Sequence, residues 1–448
     1  MTQKSEASTH MSDLNAVSLY SGAGGLDFGI ESAGFRVRTA LEFDHDACET
    51  IRANRNWSLL ERDVHATTGK EILEAGSLHR GDVDLLVGGP PCQPFSKAGY
   101  WANGTTKGMA DPRAATLPAF MRMVEETLPT VFLLENVHGI AYSGKEEGFE
   151  TIRRLTMAIN RKASTQYALS WKVLNAVDYG VPQLRSRFFL IGHREGRKFI
   201  FPGATHTLED SHPQPQRTLV DTGLLPAAIA WDAIGGLEPA SSEDLSIKGS
   251  WAELLPSIPE GQNYLWHTDH GGGLSLFGWR TRYWSFLLKL AKNRPSWTIP
   301  AQPGPAIGPL HWANRYLSIA ELAALQTFPK SVRFVGSRHS IQRQIGNAVP
   351  SLLAEVLGRE IRAQFFGYKP RSTPRLSVAL RRPIPGPEPV LPVPAEFRTL
   401  IGHHPAHPGT SKRPSARLSR QQVHPGRTDL DGGLRWVRLL ETKQRTAT

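Results

Sequence analysis

Three groups of side chains in this 448-residue chain have types and spacing suited to bond-making chemistry. The first is a thiol. The apolar run Val83-Asp84-Leu85-Leu86-Val87 drives into Gly88-Gly89-Pro90-Pro91-Cys92-Gln93-Pro94-Phe95-Ser96. A strand ending in a turn stiffened by two prolines can hold a nucleophile in place. Taken alone, Cys92 reads equally as a small buried hydrophobe beside a tight turn. The second group is a carboxyl: Thr130-Val131-Phe132-Leu133-Leu134 reads as a strand ending in Glu135-Asn136-Val137. At the carboxyl end of a buried parallel strand, Glu135 would share a rim with Cys92. Crowding there raises a carboxyl pKa, as a proton donor at neutral pH requires; a satisfied capping glutamate is the alternative. The third group is Gln183-Leu184-Arg185-Ser186-Arg187, two arginines at i and i+2. On one strand face they suit adjacent anionic contacts, such as a phosphate and a polarised base carbonyl.

The elements needed to position these groups are legible in order. Ala16-Val17-Ser18-Leu19-Tyr20 reads as a buried strand breaking into Ser21-Gly22-Ala23-Gly24-Gly25-Leu26-Asp27-Phe28-Gly29, with a helix to about Gly34. Strand, glycine turn and helix form a first βα unit in which a ligand meets bare backbone. Asp27 stands where the dinucleotide fingerprint needs a third glycine, which disfavours a nicotinamide cofactor. A second strand, 36–41, closes on Glu42-Phe43-Asp44, and an acid at that strand end suits a ribose hydroxyl pair. Helix 44–56 carries Cys48 as packing, and a third strand near Leu59-Leu60 leads to Asp63-Val64, suited to a purine amino group and its face. The periodicity predicts helices over 111–127 and 146–161, antiparallel strands over 167–194, and a capped helix from Ser318 to Phe328. After Gln344-Ile345-Gly346-Asn347-Ala348-Val349-Pro350 an amphipathic helix runs to about Phe366. Between about 201 and 293, apolar periodicity fades and Pro, Gly, Trp and His rise, marking a second, irregular domain.

Composition narrows the class. No run of about 18 apolar residues occurs, so no membrane-spanning helix is expected. Residues 1–15 are polar and lack the apolar core of a secretion signal. Cys48 and Cys92 are the only cysteines, which excludes a disulfide scaffold or a cysteine-rich zinc site and fits a reducing cytoplasm. Of the formal charge of +11, most lies after 368, where 15 Lys/Arg face 5 Asp/Glu. That proline-rich stretch reads as a disordered tail, either scanning phosphates or merely solubilising. Acidic residues outnumber basic ones within 201–293, so a nucleic-acid reader there must use local groups.

Over residues 16–366 these motifs, in this order, resemble the DNA cytosine-5 methyltransferases. The family's cofactor glycine motif matches 18–29, with Tyr20 where an aromatic is usual. Pro91-Cys92-Gln93 matches its nucleophile motif and Glu135-Asn136-Val137 its acid motif. The run Gln183 to Arg187 matches its glutamine-x-arginine-x-arginine motif, and 294–299 with 344–350 its closing motifs. The resemblance implies a Rossmann-like α/β methyltransferase domain, mixed but mostly parallel, with a smaller target recognition domain. The expected layout is a flexible 1–15, a catalytic domain over 16–194 and 294–367, a recognition domain over 195–293, and the tail 368–448. S-adenosylmethionine is implied as cofactor, held by Tyr20, Gly22, Ala23, Gly24, Gly25, Glu42, Phe43, Asp63, Val64, Pro91, Asn347 and Val349. Cys92 would add to C6 of a flipped cytosine, Glu135 would serve N3, Arg187 would hold O2, and Arg185 the adjoining backbone. Gln93, Ser96 and Arg185 would touch DNA, and the stretch 96–107, with three glycines to Gly108, would form a lid. No metal is needed. Double-stranded DNA, a monomeric enzyme, a cytoplasmic site of action and a cognate restriction endonuclease complete the expectation. A tRNA cytosine methyltransferase is the rival substrate reading, favoured less because of the large variable region. An inactive regulatory homologue is the rival from another class, and the presence of both Cys92 and Glu135 argues against it.

Overall fold

The central parallel strands of one sheet are apolar runs buried along most of their length on both faces, as such strands require. The computed structural model describes residues 14–91, 115–137, 147–208, 223–279, 283–368 and 373–402. Its first eight strands are β1 (Leu14–Leu19), β2 (Phe35–Glu42), β3 (Ser58–Glu61), β4 (Leu85–Gly88), β5 (Val131–Val137), β6 (Ala168–Asn175), β7 (Gln183–Leu184) and β8 (Ser186–His193). The main sheet has the order β3-β2-β1-β4-β5-β8-β6, and only β8 runs against the others. The chain reverses its direction of growth across the sheet between β1 and β4, the point where an open α/β sheet leaves a ligand crevice at its carboxyl edge.

Side-chain alternation divides the core into two layers. Leu86, Phe132, Leu134 and Phe188 join one layer; Leu85, Val87, Leu133 and Phe189 join the other. The first is covered by α3 (Gly69–Ala75), α4 (Thr116–Thr127) and α5 (Glu147–Ala163), the second by α1 (Gly25–Ser32) and a late helix, Ser351–Phe365. The helix α2 (His45–Asn54) buries Cys48 completely, as packing. The structure thus has the expected α/β class. Ser296–Trp297 pairs with β7, which brings the closing motif against the arginine run. Among the described residues no helix is long and apolar enough to cross a membrane.

One expectation is corrected. Residues from 368 onward read as a free tail, but 373–402 packs on the body. Glu355 accepts from the backbone N–H groups of Arg375 and Leu376, and Asp232 from that of Arg381 and the guanidinium of Arg382. Lys292, almost wholly buried, bridges Glu260 at 2.6 Å and Glu388 at 2.8 Å. Val393 and Phe397 then enter a second core with Leu254, Tyr264, Phe277 and Leu310, where Phe397 stacks on Trp251. Proline-rich composition hid this because an extended strap needs only a few anchors, and two apolar side chains supply them. Residues 403–448 lie outside the described residues.

Candidate active site

At the carboxyl edge of the sheet, the ends of β1, β2, β4 and β5 and the start of β8 converge. Glu135 is opposite Phe189 in the antiparallel ladder and Val137 is opposite Arg187, so Glu135 and Arg187 are diagonal neighbours on one face. Arg187 Nε reaches Glu135 Oε1 at 3.0 Å. Burial raises the Glu135 carboxyl above its ordinary value, against the pull of the Arg187 and Arg185 charges. The adjacent turn is built to leave room: a Cβ on Gly89 would lie 3.0 Å from Glu135 Oε2. Asn136, the next residue of the acid motif, donates from Nδ2 to the Pro90 carbonyl at 3.2 Å, which ties the turn to the strand carrying Glu135. Pro91 is exposed at the end of that turn. Cys92, Gln93, Ser96 and the expected lid 96–107 lie outside the described residues.

The two arginines do not share a role. Arg185 is 1% exposed, and its Nη2 donates to the carbonyls of Gly346 and Ala348, both at 2.8 Å. The expected contact of Arg185 with a DNA backbone is therefore corrected. It reaches inward because it precedes β8 instead of alternating along it, and the 344–350 carbonyls compete successfully for its donors. Its Nε and Nη1 have no partner among the described residues. Gln183 is a similar internal clamp, donating to Leu325 O and Gln326 Oε1 and accepting from Ile299 N.

The neighbouring crevice fits an adenosyl cofactor. Glu42 Oε2 accepts from Gly22 N at 2.7 Å, and Oε1 from Phe43 N and Asp44 N, both at 2.8 Å. This sets the carboxylate across from the glycine turn with a lone pair of Oε2 still free for a ribose hydroxyl. Burial raises its pKa, while those three N–H groups oppose the rise. A Cβ on Gly22 would meet nothing within 4 Å, so the turn is open there. Phe43 is 69% exposed beside it, an apolar face suited to a purine. Asp63 is exposed and caps the short turn Val64–Ala66, although Val64 itself packs into the core. Ala23 is buried, and Gly24 supplies the left-handed cap of α1. Gly25 is required by contact: a Cβ would lie 2.7 Å from Val349 O, the buried far wall, while Asn347 stays exposed at a helix end. Tyr20 donates its hydroxyl to the Thr116 carbonyl at 2.9 Å.

One residue that positions this site went unread in the sequence. Arg122 on α4 donates to Val64 O at 2.7 Å and Thr67 O at 3.0 Å, fixing the turn that carries Asp63. Nothing in its sequence surroundings marks it, because the partners lie more than 50 residues away. Asp27 is fully buried beneath the glycine turn, and neither oxygen meets a donor in hydrogen-bonding geometry among the described residues. Burial pushes its pKa from 3.8 to about 7, against a smaller lowering by the Ser18 hydroxyl. A folded pKa above the unfolded one means stability that is fully present below about 4 and lost as pH rises through 7. Asp27→Asn is therefore expected to raise thermal stability at pH 8 by about 1–3 kcal/mol over the wild type, and by less at pH 5. Thermal unfolding of the cofactor-free protein at both pH values checks this, and equal shifts at the two would contradict it.

Comparison with known proteins converges on the same chemistry. The family model described as C-5 cytosine-specific DNA methylase matches residues 14–363. The type II methyltransferase M.SacI of Streptomyces achromogenes is 40% identical over 379 residues, covering 80% of this chain and 94% of that protein. M.NgoFVII of Neisseria gonorrhoeae, also a type II methyltransferase, is 32% identical, covering 75% of this chain and 82% of that one. The fold is shared with Entamoeba histolytica methyltransferase EhMeth, at 15% identity and a TM-score of 0.51, over 78% of this chain and 98% of that one. A carboxyl and an arginine paired at the sheet edge, a glycine turn facing Glu42, and a match spanning nearly all the described body leave one assignment: this chain belongs to the C-5 cytosine-specific DNA methylase family and is an S-adenosylmethionine-dependent DNA methyltransferase.

Proposed function

We propose that the protein methylates carbon 5 of cytosine at a specific site in double-stranded DNA, through a transient bond from Cys92 Sγ to cytosine C6. The observation that carries this reading is the largely buried Arg187–Glu135 pair at 3.0 Å, seated beside the turn that leads into Cys92. S-adenosylmethionine, when bound, supplies an electrophilic methyl group; Glu42, Phe43, Asp63 and the glycine turn would hold it. The protein's own task is to make C5 nucleophilic. The Cys92 thiolate adds to C6, and the C5=C6 electron pair shifts into the ring as Glu135 delivers its proton to N3. Arg187 donates to O2 and carries charge that would otherwise build on the base. Once C5 is methylated, loss of its proton to a base restores the C5=C6 bond and expels the thiolate, and N3 returns its proton to Glu135. Because C6 is shielded within a duplex, the target base must leave the stack.

Residues 195–293 are the proposed target recognition region. Its descriptive support is a separate apolar core, which also draws on 306–310 and the 393–397 strap. One chain carries the thiol, acid and arginine, so we take the monomer as the acting unit, working where the DNA lies in the cytoplasm. The relatives named as type II methyltransferases support a protective role beside a cognate restriction endonuclease. The test is methyl transfer from labelled S-adenosylmethionine to unmethylated duplex DNA, followed by bisulfite sequencing. Label at carbon 5 of cytosines in one short sequence is expected. Label found only in tRNA would overturn the substrate assignment.

A further inference from the structure

Pro90 and Pro91 have no backbone N–H, so at these two positions of the turn only the carbonyls can be held. Both are held, from different elements. Asn136 donates to Pro90 O, and the Thr116 hydroxyl donates to Pro91 O at 3.0 Å. That second carbonyl belongs to the peptide bond that joins Pro91 to Cys92. The Thr116 carbonyl in turn accepts the Tyr20 hydroxyl at 2.9 Å. Tyr20 opens the glycine turn in a left-handed backbone conformation, φ 55°, unusual for an aromatic residue and sustained here by its surroundings. Thr116 is the first residue of α4, the helix whose Arg122 fixes the turn carrying Asp63. One short helix thus touches the glycine turn, the Asp63 turn and the peptide before the thiol.

We propose that Tyr20 and Thr116 are positioning residues: the path from Tyr20 Oη through Thr116 to Pro91 O ties the peptide from which Cys92 extends to the cofactor turn. The Tyr20 hydroxyl serves the nucleophile, leaving only its ring to the cofactor. This inference rests on the reading of Cys92 as nucleophile.

The test uses the full chain in single-turnover methyl transfer on unmethylated duplex DNA, with equilibrium S-adenosylmethionine binding measured in parallel. Tyr20→Phe and Thr116→Val each remove one hydroxyl and are expected to slow transfer by about tenfold, as loss of a hydrogen bond that orients a reacting group does. Cofactor affinity should stay within about twofold, and the double variant should be little slower than either single one, since both break the same path. Thr116→Ser, which keeps the hydroxyl, should restore the rate. Transfer at wild-type speed in Thr116→Val would overturn the proposal. So would a fall in cofactor affinity matching the fall in rate in Tyr20→Phe, which would make Tyr20 a cofactor wall only. Failure of the underlying reading appears separately, as retained transfer in Cys92→Ser.

Discussion

Cys92→Ser is expected to lower methyl transfer by at least about a thousandfold, equivalent to roughly 4 kcal/mol of transition-state stabilisation. Serine is nearly isosteric, but its hydroxyl ionises far less readily than a thiol and is a poor nucleophile without a dedicated base. Cofactor affinity should be unchanged, because the described cofactor-facing groups, Glu42, Phe43 and the glycine turn, are anchored independently of the side chain at 92. The complementary measurement is covalent capture. A duplex carrying 5-fluorocytosine at the target should form a stable adduct with the wild-type protein and none with Cys92→Ser, since fluorine at C5 cannot leave as a proton does. Transfer at wild-type rates in the serine variant would end the covalent mechanism.

Glu135→Gln carries the second large effect. The amide keeps the shape of the side chain but cannot deliver a proton to N3, and kcat should fall by about 10²–10³-fold. The pH dependence follows from the direction of the shift. Burial raises the Glu135 pKa, so the protonated donor persists to higher pH than an exposed glutamate would allow. Activity that depends on this proton falls as pH rises through the raised value, and that alkaline limb should vanish in Glu135→Gln. A limb unchanged in the variant would assign the titration to another group. The substitution also leaves Arg187 buried without its carboxylate partner at 3.0 Å. A moderate loss of thermal stability should accompany it, and activity is to be compared below the unfolding temperature of both proteins.

Motif order and strand pattern carried the assignment because they are local. Val83–Val87 and 130–134 declare themselves as buried strands by composition, and what terminates a parallel strand necessarily lies on the functional edge of the sheet. The sequence alone therefore determined that the turn 88–91 and Glu135 belong to one rim and that Glu42 faces the glycine turn. What a side chain does at that rim was decided by residues remote in sequence. Arg185 and Arg187 look equivalent at i and i+2, yet carbonyls 161 and 163 positions away draw the first inward while the second pairs with Glu135. Thr116 has no motif of its own and acquires its place from Tyr20 and Pro91, 96 and 25 positions away. The strap 373–402 reads as a free tail until the Trp251 ring and the Glu260–Lys292 pair are there to receive it. Periodicity and turn chemistry are written in neighbouring residues, whereas burial, charge pairing and the choice of hydrogen-bond partner depend on which distant segments the fold brings together.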